Sequence, residues 1–140
     1  MIVVDTDYLT LLEWKEHPKA RLVYEELKKR KETLTTTIVS FEEQIRGWLS
    51  YLAQAKTVAK QIEVYGLLGR NVELFCGMAI LPFDENAAAK YQENKRLRLR
   101  IGSMDERIAA IVIANKATLL TRNTKDFMRV PGLMIENWIK

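Results

Sequence analysis

The chain has 140 residues, 48% of them hydrophobic and 29% charged, with a formal net charge of +4. That length suits one domain, residues 1–140, able to bury roughly 68–70% of its unfolded surface, and the balance excludes a disordered chain. One cysteine, Cys76, excludes an internal disulfide and a Cys-rich zinc site.

Met1-Ile2-Val3-Val4-Asp5 lacks the basic start and long apolar core of a signal peptide, and the densest apolar run, 108–114, is too short to span a bilayer. A cytoplasmic protein with no membrane segment is the expectation. Cys76, set in Leu74-Phe75-Cys76-Gly77-Met78, reads as a small core residue. The lone His17, beside Pro18, reads as a helix-connection residue rather than a catalyst. Chemistry in this chain therefore falls to carboxylates, hydroxyls, Lys or Arg, working with a hard metal ion.

Ile2-Val3-Val4 is an apolar run that reads as a strand buried on both faces and ending on the carboxylate of Asp5. Tyr8, Leu11, Leu12 and Trp14 follow at helical spacing as far as His17-Pro18. A second helix begins at about Pro18, with Ala20, Val23, Tyr24 and Leu27 on one stripe and Lys28 to Lys31 at its basic end. The β-branched run 34–39 is the second strand. Ser40-Phe41-Glu42-Glu43 has the form of a capping box opening a third helix with Phe41, Ile45, Trp48, Leu49 and Leu52 on its apolar face. A fourth helix covers about 56–75, and 78–82 is the third strand. Asp84 caps the helix that leads into the basic stretch. Ser103 opens a nearly all-apolar, hence central, helix through Ile108, Ile111 and Val112. Strands at about 117–121 and 133–135 complete the chain. Strands alternating with helices imply a single three-layer α/β/α sandwich around a mainly parallel sheet.

Open sheets of this kind place their sites along the carboxyl edge. Asp5 ends the first strand, Glu43 opens the helix after the second, Asp105 opens the apolar helix, and Asp126 follows the fourth strand. Asp105 lies three, four and seven residues before Ile108, Ala109 and Val112, on an inward stripe. Glu43 precedes Gly47 by four, and close approach of another backbone there would explain a mid-helix glycine. Singly, each acid has a plain account as a cap, a dipole partner or a turn residue. Together they would repel and raise one another's pKa unless a cation neutralised them, and Mg²⁺ or Mn²⁺ with oxygen ligands does so. One or two such ions would activate water against a phosphate.

The segments Ile2-Val3-Val4-Asp5-Thr6-Asp7, Ser40 to Gly47, Asp105-Glu106-Arg107-Ile108-Ala109-Ala110 and Thr121-Arg122-Asn123-Thr124-Lys125-Asp126-Phe127 together resemble the PIN domain, and in particular the VapC toxins of toxin–antitoxin pairs. The resemblance implies a Mg²⁺- or Mn²⁺-dependent endoribonuclease, a homodimer silenced by a cognate antitoxin. It implies catalytic and metal-holding roles for Asp5, Glu43, Asp105 and Asp126, with Thr6, Thr121 and Asn123 in support. Glu43 is preferred to Glu42 because Gly47 then follows at the family's spacing. Asp7 replaces a commoner Asn and its role is open.

Arg96, Arg98 and Arg100 are candidates for holding the RNA backbone by charge, against the plainer reading of solvated helix faces. Trp14, Trp48, Tyr51, Leu52, Leu67 and Leu68 read by default as extra core, with a dimer seam or an antitoxin groove as the alternative. Two rival functions remain. Asp5-Thr6-Asp7 fits the start of a haloacid-dehalogenase-like phosphatase with Asp5 as nucleophile, though no later Lys or paired-Asp motif follows. A non-catalytic interaction module for nucleic acid or protein would tolerate loss of all four acids.

Overall fold

The computed structural model describes residues 1–139. The strands are β1 (Ile2–Val4), β2 (Thr35–Thr37), β3 (Ala79–Leu81), β4 (Thr118–Leu120) and β5 (Met134–Glu136). The helices are α1 (Thr6–Leu12), α2 (Pro18–Lys29), α3 (Ile38–Ala53), α4 (Val58–Cys76), α5 (Glu85–Lys95), α6 (Ser103–Ala114) and α7 (Thr124–Phe127). The sheet order is β3-β2-β1-β4-β5, and every pairing is parallel.

Strand periodicity divides the core in two. Ile2 and Val4 project to one face, where Tyr8, Leu9, Leu12, Val23, Leu27 and Leu74 meet them from α1, α2 and α4. Val3, one residue out of step, projects to the other face and packs with Ile108, Ile111, Val112 and Phe127. Both faces of β1 are thus dry, as its apolar run requires. The three-layer α/β/α sandwich expected from the alternation of elements is the observed architecture, and α6 is its central helix, with Ile108 to Val112 buried throughout.

The chain runs from β1 outward through β2 to β3, then returns to the other side of β1 for β4 and β5. The reversal lies between β1 and β4, so the carboxyl ends of these two strands open onto the crevice where sheets of this class place ligands. Asp5 follows β1 there and Thr121 follows β4. The far end of the chain is tied down beside them: the Tyr8 hydroxyl donates to Asn137 Oδ1 (2.6 Å) and accepts from the Trp138 N–H (2.9 Å).

Local details depart from the sequence reading. The first helix stops at Leu12, and turns carry the chain to His17, which caps α2 by accepting the Lys19 N–H on Nδ1 (3.1 Å). The capping box at Ser40 does not form. Thr37 is the N-cap of α3, its hydroxyl accepting the Ser40 N–H (3.1 Å), so β2 ends three residues before the cap that the spacing suggested. Ile38 and Val39 enter the first helical turn despite their β-branching, because a Thr side chain one strand-end earlier already satisfies the turn. Glu43 therefore lies in the second turn of α3, not the first. Cys76, expected in the core, is exposed at the last position of α4. No backbone approaches Gly47: a Cβ built there would meet nothing within 4 Å. The extra-core reading also fails for part of its set, since Trp14 is 45% and Tyr51 44% exposed. Trp48, Leu52, Leu67 and Leu68 are half-buried.

Candidate active site

Asp5, Thr6, Asp7, Glu43, Asp105, Asn123 and Phe127 line one cleft of about 220 Å³ at the switch between β1 and β4. Four of the seven are acidic, and they come from three separated stretches of the chain. The sequence expectation that carboxylates gather at this edge is met for Asp5, Glu43 and Asp105, with Asp7 added to them.

Asp5 is the most firmly held. It is buried, its Oδ2 accepts from the Thr121 hydroxyl (2.5 Å), and its Oδ1 accepts from the Tyr8 N–H (3.0 Å) as the N-cap of α1. Its capping and site geometry are therefore one arrangement. Burial pushes its pKa up, the bonds from Thr121 and Tyr8 oppose this, and the charges of Asp7 and Glu43 reinforce it. Thr121 is fully buried, and its oxygen also accepts the Asn123 N–H (2.9 Å), so one hydroxyl fixes both a carboxylate and the following turn. Asn123 in turn donates from Nδ2 to Asp126 Oδ2 (3.1 Å).

Glu43 Oε1 accepts from the Thr6 hydroxyl (2.7 Å), joining α3 to the start of α1. Its neighbour Glu42 is exposed and ion-paired with Arg46, and both line a separate groove with Ile38, Phe41, Ile45 and Leu49. The doublet ambiguity thus resolves in space toward Glu43. Asp105 is half-buried in the first turn of α6, with its pKa pushed to about 6 by burial first, then by the charges of Glu43, Asp5, Asp126 and Asp7. Asp126 stands at the margin: it contributes to that field but does not line the cleft, and its other oxygen faces Arg129 at 3.7 Å.

Arg96, Arg98 and Arg100 are exposed on the stretch between α5 and α6, and none lines the acidic cleft. Sequence reading missed the polar strut behind the site. Gln44 donates from Nε2 to Thr10 Oγ1 (2.9 Å) and accepts on Oε1 from the buried Asn71 (2.9 Å), linking α1, α3 and α4. An Asn amid the apolar stripe of a long helix was its only signal.

All the donors facing the cleft are oxygens, carboxylate first, and their mutual repulsion is what a hard cation relieves. Among the described residues no trio of His, Cys, Asp or Glu is already drawn together as a ligand set. Asp5 and Glu43 are each held by a hydroxyl instead, which suits an ion that keeps much of its water and takes only one or two carboxylates directly.

The sequence matches the PIN domain family over residues 2–133. This chain belongs to the PIN domain family. Among PIN-domain relatives, ribonuclease VapC2 of Rickettsia felis is 52% identical over 42 residues, a match spanning 30% of this chain and 31% of that protein. The structure is similar to that of VapBC2 from Rickettsia felis bound to a promoter DNA fragment (TM-score 0.75, 25% identity, 99% of each chain). It also resembles DNA-bound VapBC from Salmonella typhimurium (TM-score 0.73, 19% identity, 98% of this chain and 97% of that one). FitAcB from Neisseria gonorrhoeae is a third such likeness (TM-score 0.70, 24% identity, 99% and 98%). The last two speak for the PIN fold alone.

Proposed function

We propose that this chain is a metal-dependent endoribonuclease that hydrolyses RNA phosphodiester bonds, the toxin of a toxin–antitoxin pair. The observation that carries the reading is the convergence of Asp5, Asp7, Glu43 and Asp105, from three separated stretches, on one cleft at the switch point. The names of two PIN-domain relatives, ribonuclease VapC2 and VapBC2 of Rickettsia felis, support it. Residues 1–140 act as one nuclease domain.

Asp5, Glu43, Asp105 and Asp126 would hold Mg²⁺ or Mn²⁺. A bound divalent cation supplies Lewis acidity, neutralising the scissile phosphate and acidifying an attacking water. Thr121 and Thr6 keep the carboxylates of Asp5 and Glu43 at fixed angles, so little reorganisation accompanies binding. Asn123 orients Asp126. Asp105, its pKa raised to about 6 by burial and then by the surrounding acids, would be ionised more fully beside a bound cation. Arg96, Arg98 and Arg100 contribute sequence-independent attraction for the RNA backbone. A phosphoaspartyl route through Asp5 is disfavoured, because both its oxygens already accept hydrogen bonds and no Lys lines the cleft.

Leu49, Tyr51, Val58, Ile62 and Tyr65 are 44–71% exposed along α3 and α4, and large apolar side chains gathered at a surface mark an interaction site. A homodimer contact and a cognate antitoxin account for it. No described helix is long and apolar enough to cross a membrane.

The test is cleavage of a mixed RNA pool by the purified chain with Mg²⁺ or Mn²⁺, with chelator, and beside Asp5→Asn. Cutting that requires both the ion and Asp5 is expected. A folded Asp5→Asn protein that cuts at the full rate overturns the reading.

A further inference from the structure

Asp7 lines both the acidic cleft and a neighbouring depression of about 430 Å³, whose other lining residues are Thr10, Leu11, Trp14 and Arg122. Two of these side chains have the chemistry that grips single-stranded nucleic acid, a flat aromatic surface and a cation. Trp14 is fixed in the turn after α1, its N–H donating to the Leu11 carbonyl (3.1 Å) and its carbonyl accepting from the His17 N–H (2.9 Å). Trp14 is 45% exposed, an unusual place for so large an apolar residue. The Arg70 guanidinium lies over the ring at 4.4 Å from its centroid, yet Arg70 is not among the residues lining the depression. Trp14 thus borders the depression, while the cation that lies over its ring does not.

Arg122 directly follows Thr121, whose hydroxyl is bonded to Asp5, so its backbone is anchored beside the acids. It is exposed and makes no ion pair among the described residues. Of the five lining residues only Leu11 and Trp14 are apolar, too little for an apolar peptide segment, whereas a nucleotide presents one flat face and one anionic group.

We propose that this depression is a nucleotide subsite: a base of single-stranded RNA beside the scissile phosphodiester stacks on Trp14, while Arg122 takes the adjoining phosphate. The inference rests on the ribonuclease reading above. Every base has a stacking face, and a paired base hides it in the duplex, so the subsite selects strandedness and register rather than a particular base.

The experiment uses the full chain and its Trp14→Ala, Trp14→Phe, Arg122→Ala and Arg122→Lys variants, each checked for an unchanged urea midpoint. A short single-stranded oligoribonucleotide, added in chelator so that nothing is cut, quenches tryptophan fluorescence in the unsubstituted protein. That quench is lost in Trp14→Phe, where Trp48 and Trp138 remain as reporters. With metal, Trp14→Ala raises KM by roughly 5- to 150-fold, the range for loss of one stacked base, and Trp14→Phe restores most of it. Arg122→Ala raises KM and lowers the salt slope of binding by about 0.7, the single-strand value for one phosphate contact; Arg122→Lys keeps that slope. Trp14→Ala that retains the unsubstituted KM and cleavage pattern, or that loses only capture of a protein partner, overturns the subsite alone. Unsubstituted protein that neither binds nor cuts RNA overturns the ribonuclease reading and the subsite with it.

Discussion

Asp105→Asn isolates the electrostatic strain of the acidic cleft. Among the described residues nothing donates a hydrogen bond to the Asp105 carboxylate, so the change removes a charge and little else. Its pKa is raised from 3.8 to about 6, first by burial and then by Glu43, Asp5, Asp126 and Asp7. At roughly 1.4 kcal/mol per unit, a rise of about two units bounds the destabilisation from its ionised form at about 3 kcal/mol. Solvent screening of a half-buried group reduces this to about 1.5–2 kcal/mol. Losing an acid from the first turn of α6 subtracts about 0.3–1 kcal/mol of favourable dipole interaction. The net expectation is a gain of about 1 kcal/mol for Asp105→Asn at pH 8 in chelator.

The pH dependence has a definite sign. A carboxyl that holds its proton more tightly when folded favours the fold below pH 3.8 and loses that advantage as the pH rises through about 6. The gain from Asp105→Asn should therefore be absent at pH 3.5, grow between pH 4 and 6, and be full at pH 8. Urea unfolding across that range measures it, and with a slope of about 2 kcal/mol per M the midpoint moves by about 0.5 M. Added Mg²⁺ should stabilise the unsubstituted protein more than the variant, because only the former keeps the full set of acids. A gain equal at pH 3.5 and pH 8, or a variant less stable at pH 8, would refute the strain reasoning.

Thr121→Val removes both the donor to Asp5 and the acceptor for the Asn123 N–H, leaving buried polar groups unpaired. It should cost about 1–3 kcal/mol in a urea titration and lower the cleavage rate, with Thr121→Ser close to the parent in both. Replacing Arg96, Arg98 and Arg100 together by Gln should leave the cleavage rate at saturating RNA nearly unchanged. It should flatten the salt dependence of RNA binding by about 2 in slope, from three lost contacts at about 0.7 each; an unchanged slope would remove them from the interface. Lys31, at φ +57 just past α2, sits where a side chain is strained, so Lys31→Gly should raise the thermal midpoint by about 1 kcal/mol in equivalent stability. A lower midpoint would mean that its side-chain contacts outweigh the strain.

The acids were legible because their positions are local facts. Asp5 ends an apolar run, and Glu43 and Asp105 fall near the starts of periodic segments, so once the elements alternate the topology carries them to one edge. What the sequence left ambiguous turned on distant partners. Glu42 and Glu43 differ by one step of 100° around a helix, and only packing against Thr6 decides which faces the cleft. The capping box at Ser40 was a sound local pattern overruled by Thr37, whose place at the end of β2 follows from pairing with β3. Cys76 was read from its apolar neighbours and Gly47 from its spacing after Glu43, but which side of a helix is covered depends on what lies against it.

By itself, then, the sequence determined the alternation of strands and helices, the parallel sheet and the edge at which Asp5, Glu43 and Asp105 gather, since short-range periodicity and chain reversal suffice for these. Tertiary structure alone decided which hydroxyl holds each carboxylate, that Asp7 faces the cleft while Asp126 stands at its margin, and that Trp14 and Arg122 meet beside it. Those outcomes depend on contacts between residues far apart in the chain, for which local propensity carries no signal.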